Sequence, residues 1–131
     1  MHFRLRYDGH VTRRAAVVAW LTWSALVAAD EAPPARTPAL VDRGKTSFNS
    51  NCAACHGVSG EGNGPVAFAV RPRPRNLRKE PFVRGDSVAE LFATITRGLP
   101  SGTMASYAQL PSDERWALAY YVRTFRDAPR R

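Results

Sequence analysis

Two cysteines and a histidine stand together in one short run, Cys52-Ala53-Ala54-Cys55-His56. Thiols at this spacing lie on one turn of backbone, and Cys-x-x-Cys-His is the spacing of c-type haem attachment. Thioether bonds to the two porphyrin vinyl groups would make the cofactor permanent. The small Ala53 and Ala54 would let the backbone lie against the ring, and His56 would fall under the iron. Other uses fit less well. A thioredoxin-like dithiol needs a βαβ context, which the sequence does not suggest. A structural disulfide leaves the histidine unexplained. A zinc site normally takes four ligands, and His2 and His10 lie far off in the N-terminal segment.

A second axial ligand is the next requirement. Met104 is the only methionine beyond the initiator, and it sits in the loop Gly98-Leu99-Pro100-Ser101-Gly102-Thr103-Met104. A thioether is a soft ligand that favours reduced iron and raises the potential. The ordinary alternative is a gap-filling core methionine. A ligating histidine also usually donates its other ring N–H to a carbonyl or carboxylate. The carbonyl of Pro65, at the end of the glycine-rich stretch 57–65, is the expected acceptor; the plainer reading of this proline is loop punctuation.

These residues need positioning elements. Leu40, Val41, Gly44 and Phe48 mark a first helix from Ala39 to about Ser50. The stretch 57–65, Gly-Val-Ser-Gly-Glu-Gly-Asn-Gly-Pro, is too glycine-rich for a regular element. Val66–Val70 is a candidate short helical turn, and Arg71-Pro72-Arg73-Pro74-Arg75 cannot be helical. Asp86 or Ser87 opens a helix running to Arg97, with Glu90 completing a capping box on Ser87 and Gly98 ending it. Ser112, Asp113 and Glu114 open a last helix whose apolar surface includes Trp116, Leu118, Tyr121, Val122 and Phe125. The expected class is all-α. Loops this long in a small domain usually serve function or wrap around something.

The N-terminus reads differently. Residues 1–14 are basic, residues 15–29 carry no charge, and Val27 and Ala29 suit a cleavage site before Asp30. Residues 1–29 therefore read as a secretory signal peptide. The apolar stretch is short for a membrane span, and a retained anchor is the competing reading. Arg13-Arg14 hints at a twin-arginine signal without the rest of that motif. Residues 30–38 hold Pro33, Pro34 and Pro38 and read as a linker, leaving 39–131 as the folded domain. The expected location is exported, either periplasmic or on the outer face of the cytoplasmic membrane. Membrane contact is expected only if residues 15–29 are retained.

The 44% content of hydrophobic residues is too high for a disordered chain. The net charge of +8 falls to +5 without residues 1–29. That charge suits steering toward an acidic redox partner, or plain solubility. Nucleic-acid binding is a poor reading of this charge, for want of a basic helix or an aromatic-basic stripe.

Taken together, residues 39–127 resemble the class I monohaem cytochrome c family. The resemblance rests on Cys52-Ala53-Ala54-Cys55-His56, on Gly44 and Phe48 facing Tyr121, on Pro65, and on the loop Gly98 to Ser106. It implies the cytochrome c fold: three main helices and long irregular loops around one covalently bound haem. It also implies a single-electron carrier, not an enzyme on its own, with protein redox donors and acceptors as partners. The alternatives are a haem c subunit of a larger oxidoreductase and a membrane-tethered cytochrome. Arg73 and Arg75, with Asn76, are expected to pair with the propionates, or else are solvated loop charge. One departure is visible: Ala105 follows Met104 where the family usually has proline.

Overall fold

The computed structural model describes residues 32–100 and 104–127. The signal-peptide reading of residues 1–29 lies outside these, as do Ser101, Gly102 and Thr103 of the methionine loop. Among the described residues there are four α-helices and no strand: α1 Pro38–Asn51, α2 Ala53–His56, α3 Val88–Arg97 and α4 Ser112–Asp127. A 3-10 turn covers Ala67–Ala69. No helix among them is long and apolar enough to cross a membrane.

Helix α1 begins one residue earlier than the sequence suggested. Thr37 Oγ1 accepts from Leu40 N at 3.1 Å, and Pro38 occupies the first turn. Proline fits there because that turn has no intrahelical use for its missing N–H. The preceding linker is tied down too, since the Tyr120 hydroxyl donates to Pro34 O at 2.6 Å.

The fold is organised by α1 meeting α4 at Gly44. A Cβ on Gly44 would stand 2.0 Å from Ala117 O and 2.8 Å from Tyr121 Cβ. Glycine is what lets the two helices come this close. One turn on, Phe48 is 1% exposed and meets Tyr121 and Phe125, each at 5.3 Å between ring centroids. Burying a side chain of this kind is worth roughly 1.5–3 kcal/mol. Ser47 Oγ donates to Glu114 Oε1 at 2.6 Å, and Arg43 pairs with Asp113 at 2.8 Å. These bonds fix the register of the helix pair.

Helix α3 packs its Leu91 and Ile95 into the same core. Its start is the expected capping box: Glu90 N donates to Ser87 Oγ at 3.2 Å, and Ser87 N donates to Glu90 Oε2 at 3.0 Å. Those bonds to Ser87 hold the Glu90 carboxyl below its usual range. Its stabilising contribution is therefore complete above the ordinary carboxylate range and fades as pH falls through the lowered value. Replacing Ser87 with alanine removes the cap and is expected to cost about 1 kcal/mol. A thermal melt of the haem-loaded protein checks this; an unchanged midpoint would remove the cap from the account of α3.

Candidate functional site

The two cysteines are set by a break between two helices. Helix α1 ends at Asn51, Cys52 N still donates to Phe48 O at 2.8 Å, and the chain then bends at Cys52 into the single turn α2. Cys55 N and His56 N both donate to Cys52 O, at 3.2 and 2.9 Å. The two thiols therefore sit one turn apart. They are free rather than disulfide-bonded. Ala53 is buried in the core, and Cys52 packs against that core.

Burial, and secondarily the neighbouring Cys55, pushes the Cys52 thiol up to about 12. Reactive dithiols need the opposite, a thiol pKa lowered by a helix N-terminus or a nearby cation. The surroundings of Cys52 thus argue against redox-dithiol use and suit a thiol kept neutral until it forms a thioether.

The glycine-rich stretch holds α2 from outside. Gly62 N donates to His56 O, Gly64 N to Cys55 O, and Val66 N to Ala54 O, at 2.8, 3.1 and 3.0 Å. The carbonyls that a one-turn helix leaves unpaired are thereby satisfied. A Cβ on Gly64 would lie 2.2 Å from Ala54 O, so the strap needs glycine at its centre.

His56 is half-buried, and its Nδ1 lies 3.2 Å from Arg75 O. A carbonyl only accepts, so the proton is assigned to Nδ1, which leaves the Nε2 lone pair for a metal. Burial lowers the imidazole pKa and favours this neutral form, partly opposed by the Arg75 contact. The expected acceptor was the carbonyl of Pro65, and here the structure differs. Pro65 is exposed at the end of the strap, whose peptides are turned onto α2. The irregular run 71–77 crosses the strap, with Pro74 O 2.4 Å from where a Gly62 Cβ would be, and brings Arg75 O to the ring. The sequence carries no signal for this, because the group used is a backbone carbonyl delivered by the path of the chain.

Met104 is partly buried and packs against the same core as Cys52. Its loop is closed by Leu99 N donating to Met104 O at 3.0 Å. Ser106 Oγ donates to Thr96 O at 2.6 Å, and Tyr107 N donates to Ile95 O at 3.0 Å. The segment after the methionine is thus pinned along the last turn of α3, which supplies hold where Ala105 replaces the usual proline.

Arg73 and Arg75 both turn to one carboxylate, with N–O distances of 2.5 and 3.7 Å to Glu80. Asn76 Oδ1 accepts from Arg78 N and Lys79 N, closing a local turn. A cleft of about 440 Å³ is lined by Gly62, Ala67, Phe68, Arg71 and Arg73.

The surroundings of these residues fit a haem. Phe68 is 78% exposed and Val66 43%, both on the segment that straps α2. Trp116 is 2% exposed, yet its Nε1 has no hydrogen-bond partner among the described residues. Buried donors are rarely left unpaired in native proteins. Free thiols one turn apart, an imidazole with an open Nε2, apolar side chains facing out and an unpaired buried donor suit a flat, largely apolar group with a polar edge. No group of three or more histidine, cysteine or acidic side chains able to hold a bare metal ion occurs among the described residues.

Comparison with known proteins shows the family of the chain. The family described as Cytochrome c matches residues 41–126, a range from α1 to α4 that includes Cys52, Cys55, His56 and Met104. The chain belongs to the cytochrome c family. A cytochrome c carries haem c and works in electron transfer, and the helical architecture, with no strand among the described residues, is that of the family. Among relatives, the chain is 35% identical over 85 residues to the Cbb3-type cytochrome c oxidase subunit CcoP of Azospirillum brasilense, covering 64% of this chain and 28% of that protein. It is 32% identical over 122 residues to the Cbb3-type cytochrome c oxidase subunit FixP of Bradyrhizobium diazoefficiens, covering 82% and 39%. The match thus spans well under half the length of these relatives. A solved structure, the Kuenenia stuttgartiensis reducing HAO-like protein complex Kustc0457/Kustc0458, superposes with a TM-score of 0.68 at 30% identity, covering 73% of this cytochrome and 48% of that chain.

Proposed function

We propose that this cytochrome is a single-electron carrier with one haem, attached through Cys52 and Cys55 and ligated by His56 and Met104. The observation that carries the reading is the one-turn helix α2, which presents two free thiols and an imidazole whose Nδ1 proton is already committed to Arg75 O at 3.2 Å. Bound haem supplies a one-electron Fe(III)/Fe(II) couple.

The chain's own residues do the rest. Cys52 and Cys55 fix the ring in place. His56, oriented by Arg75 O, and Met104, held by the bonds of residues 99, 106 and 107 to α3 and its loop, would be the side chains that hold the haem iron. Ligands held the same way in both oxidation states keep the structural change on transfer small. Arg73 and Arg75 partly neutralise Glu80 and lie close enough to the cleft and to His56 to be offered to propionates as well. The positive balance of the chain supports an acidic surface on the redox partner. Residues 1–29 supply export, so electron exchange would take place outside the cytoplasm.

A second reading is favoured by the relatives: the same domain acting as the haem c subunit of a larger oxidoreductase, since two of them are named oxidase subunits. Size-exclusion chromatography of the native protein separates the readings. A lone small species supports the carrier, and co-elution with larger haem proteins supports the subunit. The ligation is tested by the ferric optical spectrum. A weak near-infrared band of thioether-to-iron origin is expected. High-spin bands that change on adding cyanide would remove Met104 from the iron.

A further inference from the structure

Tyr107 lies three positions beyond the methionine and bonds to the last turn of α3 and to the end of α1. Its backbone N donates to Ile95 O, in the last turn of α3, at 3.0 Å. Its carbonyl accepts from Leu110 N at 3.0 Å, on the lead-in to α4. Its hydroxyl donates to Asn51 O at 2.8 Å, across 56 positions of sequence. Asn51 is the last residue of α1 and immediately precedes Cys52. Its carbonyl is one of those a helix end leaves without an intrahelical donor, and the phenol takes it up. The ring is half-buried and packs on the core shared with Cys52 and Met104. Burial foremost, then the two nearby cysteines, raises the phenol above its ordinary pKa, which keeps it a neutral donor.

We infer that Tyr107 is a positioning residue, a strut that ties the Met104 loop to the attachment end of α1 and so holds the methionine on the iron. The inference rests on His56/Met104 ligation and adds to it what keeps the methionine side in register with the cysteine side. It also accounts for how a loop carrying Ala105 stays in place. The chain hangs the segment from α3 through Ser106 and Tyr107 N, and from α1 through the Tyr107 hydroxyl. A ligand from solution reaches the iron only while the methionine is off. Its apparent affinity therefore scales with the open fraction of the loop. Cutting the strut raises that fraction without removing the methionine.

The test compares imidazole binding by the ferric haem-loaded protein in wild type, Tyr107→Phe, Ser106→Ala and Tyr120→Phe. Phenylalanine keeps the ring and deletes the donor, and it is expected to bind imidazole roughly three- to tenfold more tightly, the scale of one net hydrogen bond. Ser106→Ala frees the same segment from α3, is expected to shift affinity in the same direction, and carries the test if Tyr107→Phe fails to mature. Tyr120→Phe deletes the comparable bond to Pro34 O, 2.6 Å long and away from the site, and is expected to leave affinity unchanged. Equal affinity in wild type and the segment variants would overturn the strut. So would an equal rise in Tyr120→Phe, which would show general loosening instead. Absence of the thioether band in wild type would overturn the ligation reading, and the strut with it. A wild type with the band and an unaltered Tyr107→Phe would sink the strut alone.

Discussion

Alanine at position 44 is expected to destabilise the haem-loaded protein by about 3 kcal/mol, the upper part of the usual range for overpacking. The new Cβ would lie 2.0 Å from Ala117 O and 2.6 Å from Ala117 C, and both are backbone atoms of α4. No rotamer change relieves such a clash, so the helices must separate. Separation loosens Phe48 against Tyr121 and Phe125 on the next turn. One effect works the other way: alanine is a better helix former than glycine by about 1 kcal/mol. The steric term wins because nothing flexible stands in the way of the added methyl. For a domain near this size each kcal/mol moves the melting temperature by about 4–8 °C. The melt is therefore expected to fall by more than about 10 °C. A midpoint within two or three degrees of wild type would show that α1 and α4 do not meet as closely as described.

Replacing Met104 with alanine is the second large effect. It removes the thioether while leaving the loop's backbone closure, Leu99 N to Met104 O, available. Axial ligands tune haem potentials over roughly 0.8 V, and loss of the thioether is expected to lower the midpoint by on the order of 0.2 V. The near-infrared band is expected to vanish and high-spin features to appear, with imidazole restoring a low-spin spectrum. Covalent attachment through Cys52 and Cys55 is expected to survive, since nothing in that bond depends on the methionine. A variant with the wild-type potential and spectrum would return Met104 to the role of a core filler.

What the sequence disclosed and what it withheld divide along physical lines. Helices α1, α3 and α4 are long enough for apolar spacing to mark them, and the Ser87–Glu90 box is a local pattern that the fold realises as two bonds. The Gly44, Phe48 and Tyr121 packing was legible only through the resemblance to the cytochrome c family, and the structure brings these three residues together. Helix α2 was not legible as a helix. It is one turn long, too short for periodicity, and its carbonyls are completed by Gly62, Gly64 and Val66 from outside. The partner of His56 was misjudged because the proline-rich run 71–77 crosses the glycine strap and brings Arg75 O in. Arg73 and Arg75 were expected to pair with propionates or to be solvated loop charge, and their shared contact with Glu80, within the same irregular stretch, had no signal in the sequence. The Tyr107–Asn51 bond joins distant positions through a side-chain hydroxyl and a backbone carbonyl. Residue spacing does not encode such a pair.

The central claim is tested most directly by the mass of the purified, denatured, reduced protein after treatment with a thiol-alkylating reagent. The account predicts a coloured chain heavier than its polypeptide by one haem, with neither Cys52 nor Cys55 alkylated. A colourless chain at polypeptide mass, with both cysteines taking up the reagent, would contradict it.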